Sequence, residues 1–155
     1  MPEETSTARV KLDDFLCLAV YAVGHAFNRT YKPLLEPLGL TYPQYLVMTA
    51  LWGEDDQTVG GLGETLSLES NTLTPLLKRL ESQGRILRAR DPRDERQVRV
   101  RLTEAGRALG GEAAHIPHCI IEASGLSVEE LGRLRRQITG LRNALERYVD
   151  ATPAP

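Results

Sequence analysis

Two thiols and a set of phenols are the groups in this chain whose types suit redox chemistry. Cys17 lies in D-D-F-L-C-L-A-V-Y-A-V, residues 13–23, with Tyr21 four positions on. Cys119 lies in H-I-P-H-C-I-I, 102 positions further along. A peroxide is attacked by thiolate rather than thiol, and a cysteine of ordinary pKa, about 8.5, is only roughly 3% thiolate at pH 7. A sensing thiol therefore needs neighbours that favour the anion. A helix N-terminus does so through its dipole, and hydroxyl donors do so by hydrogen bonding to sulfur. Phe15, Leu16, Ala19, Val20, Val23 and Phe27 recur at helical spacing, and Asp13 or Asp14 is placed to cap that helix, so the thiol falls in its first turns. The bland alternative is a buried small hydrophobe at Cys17, with Tyr21 only its helix neighbour. His115, His118 and Cys119 raise a metal site. Pro117 breaks the local helix there and other ligands are distant in sequence, so no metal or cofactor is expected.

The second chemistry is electrostatic. The formal net charge is −2, which by itself does not suggest nucleic acid. Its distribution does. Residues 1–57 carry 4 basic and 8 acidic side chains, residues 58–101 carry 9 and 6, and residues 102–155 carry 6 and 7. Arg85 to Arg101 alone holds seven arginines against three acids. A short basic patch on an acidic protein is a local electrostatic footprint.

The elements that must position these groups follow from periodicity. A helix is predicted over 13–31, then short turns broken by Pro33, Pro37 and Gly39. T-Y-P-Q at 41–44 is a capping box that opens a helix through Trp52, followed by a G-E-D-D-Q loop. A short helix over Thr58–Leu66 is weakened by Gly60, Gly61 and Gly63. Ser70 caps a stronger helix that Gly84 stops, with Pro75 deleting one backbone bond. The period then changes to two: R-I-L-R-A-R and Q-V-R-V-R-L flank D-P-R-D-E-R, a β-hairpin with a charged tip. Thr103 caps a further helix interrupted at Pro117. Ser127 and Glu130 open a final one with a Leu131, Leu134, Ile138, Leu141, Leu145, Tyr148 stripe. The A-T-P-A-P tail is expected to be disordered.

Short helix, turn, longer helix, basic hairpin: the fold class is mainly α with a small β-hairpin wing, a winged helix-turn-helix. Ser70, Asn71, Thr72, Thr74 and Pro75 stand at the start of the second helix, where base edges are met in the major groove. Lys78 and Arg79, one turn on, suit phosphate. Arg93 and Arg96 at the hairpin tip suit a narrow minor groove, with Asp94 positioned to hold one guanidinium. Taken one at a time, these elements would pass for a solvated hairpin and an amphipathic helix; their order favours double-stranded DNA as the partner.

S-N-T-L-T-P-L-L-K-R-L-E-S-Q-G, followed by D-P-R-D-E-R-Q-V-R-V-R-L-T-E-A-G, resembles the winged-helix region of the MarR (multiple-antibiotic-resistance regulator) family. The likeness covers about residues 12–149. It implies an intertwined homodimer on a pseudo-palindromic operator, with half-sites about one DNA turn apart. It implies one chain, 1–155, with dimerisation helices in 12–50 and 104–149 and a winged helix-turn-helix over 51–103. L-D-D-F-L-C-L-A-V-Y and Y-K-P-L-L-E-P-L-G-L-T-Y-P-Q-Y-L-V-M resemble the organic hydroperoxide sensors of that family. The resemblance implies Cys17 as the peroxidatic thiol, surrounded by Tyr21 and by Tyr31 and Tyr42 of the partner subunit. In two-cysteine members a C-terminal thiol of the other subunit resolves the sulfenic acid, and Cys119 is the candidate.

The expected function is thus a repressor that releases its operator when an organic hydroperoxide oxidises Cys17, not an enzyme. A related repressor released by a phenolic ligand is one alternative. A thiol peroxidase is another, but it lacks a redox-partner motif and leaves the wing unexplained. A small architectural DNA-binding protein is disfavoured by the net charge of −2. The polar start M-P-E-E-T-S-T and the absence of a long apolar run predict a cytoplasmic chain with reduced thiols and no membrane partner.

Overall fold

A computed structural model describes residues 11–152. The expected disorder of the tail falls largely on 153–155, outside the described residues; Ala151 still belongs to the last helix. The chain divides into two compact units, up to Ala113 and from Ala114.

In the first unit a 3-10 turn, Leu12–Asp14, precedes α1, Leu16–Leu35. Asp13 and Asp14 are not its cap, contrary to expectation. They are spent in the turn, where the Asp14 amide donates to the Lys11 carbonyl at 2.9 Å, and Phe15 becomes an N-cap with no side-chain bond. The helix also outruns its predicted end at 31. Pro33 lies in the last turns, and the Glu36 amide still reaches the Lys32 carbonyl. α2, Tyr42–Gly53, opens on the predicted capping box. The Gln44 amide donates to Thr41 Oγ1 at 3.4 Å, and the Thr41 amide donates to Gln44 Oε1 at 2.9 Å. α2 is the central helix of the unit: Gln44, Tyr45, Val47, Met48 and Leu51 are all buried.

Next come β1, Gln57–Thr58, α3, Val59–Leu66, and α4, Ser70–Ser82. The α4 cap is Glu69 rather than Ser70. Glu69 has the extended backbone of an N-cap, and its carbonyl accepts from the Thr72 and Leu73 amides, which makes Ser70 the first helical residue. Leu73, Leu77 and Leu80 form the buried stripe of α4. Its end is a Schellman motif: the Gly84 amide donates to the Glu81 carbonyl and the Arg85 amide to the Leu80 carbonyl, both at 2.9 Å. Gly84 sits at φ +71°, the left-handed backbone this motif requires.

β2, Ile86–Arg90, and β3, Val98–Leu102, form the predicted antiparallel hairpin. The sheet has a third strand that periodicity did not predict. β1 pairs with β3, Gln57 opposite Val100, giving the order β1-β3-β2. Two residues are too few for an alternation to be legible. Thr103 caps α5, Glu104–Ala113, as expected, its Oγ1 accepting from the Gly106 amide at 3.0 Å.

Gly106 is the tightest point of the unit. A Cβ there would stand 1.9 Å from the Arg85 carbonyl oxygen, which also accepts from the Thr103 amide at 3.1 Å. The Gly106 carbonyl in turn accepts from Trp52 Nε1 at 2.9 Å, and Gly110 lies against the Trp52 ring.

The second unit holds α6, Ile116–Ser124, and α7, Val128–Ala151. Pro117 takes the first turn of α6, where no intrahelical donor is lost, and so divides two helices rather than kinking one. The Ser127–Glu130 capping box forms as predicted. The α7 stripe is exposed in this chain at Leu134, Ile138, Leu145 and Tyr148.

Three substitutions test this packing and capping. Gly106→Ala should cost about 1–3 kcal/mol in urea unfolding, because backbone rather than a flexible side chain must yield. Gly111→Ala, with nothing within 4 Å of its Cβ, should instead be neutral or stabilising. Thr41→Ala should cost about 1 kcal/mol by removing one half of the α2 capping box.

Candidate functional site

Two sets of groups matter, the polar face of α4 with the wing, and a thiol surface. On α4 the buried stripe turns the other face outward. Ser70, Asn71, Thr72, Pro75, Lys78 and Arg79 are exposed, and Thr74 is half-buried. Ser70 and Asn71 open the first turn, where amides lack intrahelical acceptors, while the Thr72 amide already donates to the Glu69 carbonyl.

The wing is organised by carboxylates. Glu81 grips Arg88 of β2: Oε2 accepts from Nε at 3.0 Å and from a terminal nitrogen at 2.8 Å, while Oε1 accepts from the Arg88 amide at 3.1 Å. Asp56 accepts from Arg99 Nε at 2.7 Å and lies 2.9 Å from Arg101 Nε. Its backbone carbonyl also accepts from Arg99. Asp91, 8% exposed, accepts from Arg99 at 3.2 Å on one oxygen and from the Arg93 amide at 2.8 Å on the other. Asp55 accepts from the Leu102 amide and from Arg107, both at 2.9 Å. The hydrogen bonds from Arg101 and Arg99 hold the Asp56 carboxyl at about 2, well below the ordinary carboxylate value. Arg90 donates to the Glu95 carbonyl at 2.7 Å and Arg85 to the Leu38 carbonyl at 3.5 Å.

Five of the seven arginines between 85 and 101 are thereby occupied. Among the described residues the guanidinium groups of Arg93 and Arg96 have no partner, and both are exposed. Asp94 does not hold a guanidinium as expected. Its Oδ1 accepts from the Arg96 amide at 3.1 Å and its carbonyl from the Gln97 amide at 2.9 Å, so it shapes the turn instead.

The thiol surface lies on α1. Cys17 is the second residue of the helix and is exposed, so it is not a core residue of its own chain. Leu16, Val20, Tyr21, Val23 and Phe27 around and beyond it are exposed too. Tyr21 packs edge-on against His25, ring centroids 4.4 Å apart. Tyr31 and Tyr42 are brought together, stacked at 4.5 Å, with Tyr45 at 5.5 Å from Tyr31. Burial first, then the neighbouring phenols, push Tyr31 up to about 12. Tyr31 is not brought to Cys17. Both lie on α1, fourteen positions or about 21 Å apart along the axis. Cys119 is half-buried in α6, with His118 facing Glu122 at 3.2 Å one turn on. Among the described residues no three His, Cys, Asp or Glu side chains converge as a metal site would need, and no helix is long and apolar enough to cross a membrane.

Sequence reasoning missed Tyr45, Asp55 and Asp56. The acidic pair between a helix and a basic hairpin was the available signal, but only the β1–β3 pairing aims it at Arg99 and Arg101.

A family model for transcriptional regulators of the SarA/Rot type matches residues 29–112. The chain is 46% identical over 144 residues to the HTH-type transcriptional regulator TtmR of Methylorubrum extorquens (strain PA1), spanning 93% of this chain and 74% of that one. It is 43% identical over 142 residues to the organic hydroperoxide resistance transcriptional regulator of Bacillus subtilis (strain 168), spanning 92% and 97%. Reduced AbfR bound to DNA, a Staphylococcus epidermidis protein, superposes with a TM-score of 0.74 at 36% identity, covering 86% of this chain and 92% of that one. With its helical frame, three-stranded wing and full-length similarity, the chain belongs to the MarR family of winged helix-turn-helix transcriptional regulators, and within it to the organic hydroperoxide resistance regulator type.

Proposed function

We propose that this protein is a homodimeric transcriptional repressor that senses organic hydroperoxides through Cys17 and releases its DNA operator on oxidation. One observation carries the reading. Cys17 and Tyr21 stand on an exposed apolar helix face, while Tyr31, stacked on Tyr42 of α2, sits about 21 Å further along the same helix. A second copy packed antiparallel on α1 covers the apolar face and lays its tyrosine stack over Cys17. An uncovered face of this kind marks an interaction site. Residues 12–50 and 104–149 then dimerise, and 51–103 read DNA.

The chemistry balances as follows. The Cys17 thiolate attacks one peroxide oxygen, an S–O bond forms, the O–O bond breaks, and the leaving alkoxide takes a proton to depart as alcohol. Cysteine is oxidised to sulfenic acid and the peroxide is reduced. Cys119 of the second copy attacks that sulfur, an S–S bond forms, and water leaves. Cys17 is the second residue of α1, and the tyrosine hydroxyls laid over it by the second copy are the donors to its sulfur.

On DNA, Ser70, Asn71, Thr72, Thr74 and Pro75 meet base edges, Lys78 and Arg79 meet phosphates, and Arg93 and Arg96 enter the minor groove, with Asp94 shaping their turn. Operator and peroxide are the partners, no cofactor is used, and the protein acts in the cytoplasm. The B. subtilis relative is an organic hydroperoxide resistance regulator and AbfR has been solved on DNA, which supports both halves of the reading. The protein is a stoichiometric sensor rather than an enzyme. A thiol peroxidase would have no use for two unpartnered arginines on a braced wing.

Cys17→Ser should bind an inverted-repeat operator as the wild type does and ignore cumene hydroperoxide in a mobility-shift assay. Peroxide-driven release by that variant would refute the sensor. Cys119→Ser should stop at sulfenic acid, trapped by dimedone and read by mass spectrometry. An intersubunit disulfide band from Cys119→Ser in a non-reducing gel would remove Cys119 from the scheme.

A further inference from the structure

The structure carries an unbroken chain of polar contacts from the end of α2 to the wing tip. Asp56 stands just beyond α2, with the left-handed backbone φ +59° that aspartate tolerates better than most residues. Its amide is fixed by Asp55 Oδ1 at 2.8 Å. The Asp56 carboxylate accepts from Arg99 Nε at 2.7 Å, and Arg99 donates through another nitrogen to Asp91 at 3.2 Å. Asp91 accepts on its other oxygen from the backbone amide of Arg93 at 2.8 Å. Each link is charged on at least one side, and the guanidinium of Arg99 spans both carboxylates in a planar fork. Arg93 itself makes no side-chain contact among the described residues.

We propose that Asp56 is a positioning residue for DNA reading: through Arg99 and Asp91 it sets the direction of Arg93 at the wing tip. The inference rests on the reading of Arg93 as a DNA contact and adds a residue 37 positions away that touches no DNA. A hairpin held only by its own ladder can twist and splay. Asp56 also bonds Arg101, so it grips β3 at two residues of one face. Together with Glu81 of α4, which grips Arg88 of β2, it holds both strands of the wing from outside. The β1–β3 pairing supplies the rigid base, placing Gln57 opposite Val100 and Thr58 opposite Arg99. A guanidinium that enters a groove already oriented loses little freedom on binding, which is how positioning becomes affinity.

A double-mutant cycle tests this, using the reduced protein and a duplex enriched by it from a random 40-base-pair library. Kd is measured by fluorescence anisotropy for the wild type, Asp56→Asn, Arg93→Ala and the double variant. Arg93→Ala should weaken binding about tenfold or more. Asp56→Asn should weaken it about tenfold alone, yet less than about twofold in the Arg93→Ala background, because Asp56 acts through Arg93. General damage to the fold would instead lower affinity by the same factor in both backgrounds. That additive result, or an unchanged Kd for Asp56→Asn, overturns the inference while leaving Arg93 as a contact. An unchanged Kd for Arg93→Ala overturns the wing reading and the inference with it. If Asp56→Asn does not fold, Arg99→Lys replaces it in the cycle. Lysine keeps the charge but cannot span two carboxylates, so the same non-additivity is expected.

Discussion

The carbonyl of Arg85 sits where a side chain at residue 106 would begin, 1.9 Å from the position of its Cβ. That contact ties together four parts of the first unit. Arg85 closes the Schellman motif of α4 and leads into β2, Thr103 ends β3 and caps α5, and Trp52 of α2 donates to the Gly106 carbonyl. α4, the wing and the central helix are therefore referenced to one point. Interiors are close-packed, so a shift of any one of these elements is felt by the others.

Charge does a different job from packing here. Arg88, Arg99 and Arg101 of the hairpin are neutralised by Glu81, Asp56 and Asp91, and these pairs are partly solvent-accessible. Exposed ion pairs contribute little stability. Their effect is geometric: they hold the strands and leave Arg93 and Arg96 as the unpaired cations of the wing. The basic block along the chain thus becomes, in three dimensions, a small number of cations aimed outward from a braced ribbon, on a protein whose net charge remains −2. Such a distribution favours a specific site over sequence-independent coating of DNA.

α1 joins two chemistries that its own length keeps apart. Its first turn carries the thiol, and its later turns carry Tyr31, packed against Tyr42 and Tyr45. A helix is rigid over this span, so one chain cannot fold the phenols back onto the sulfur. The apolar face that α1 exposes between them, at Leu16, Val20, Val23 and Phe27, is of the kind that marks an interaction site.

The periodic elements were legible in the chain itself. The capping boxes at Thr41 and Ser127, the stop at Gly84, the cap at Thr103 and the alternation of the hairpin are local signals, and local hydrogen bonding decides them. So were the polar start of α4 and the basic tip of the wing, because composition alone marks them. The sequence did not determine that Asp13 and Asp14 would be consumed by a turn, nor that Glu69 would cap α4 in place of Ser70, since neighbouring residues of similar type compete on small energy differences. Only the tertiary structure decided which acid meets which arginine. Gln57 pairing with Val100 across 43 positions brings Asp56 to Arg99, and a non-local contact of that kind has no periodic signature. It also decided that Cys17 is exposed: an apolar run records that a residue will be covered, and the same helix can be covered by its own chain or by another.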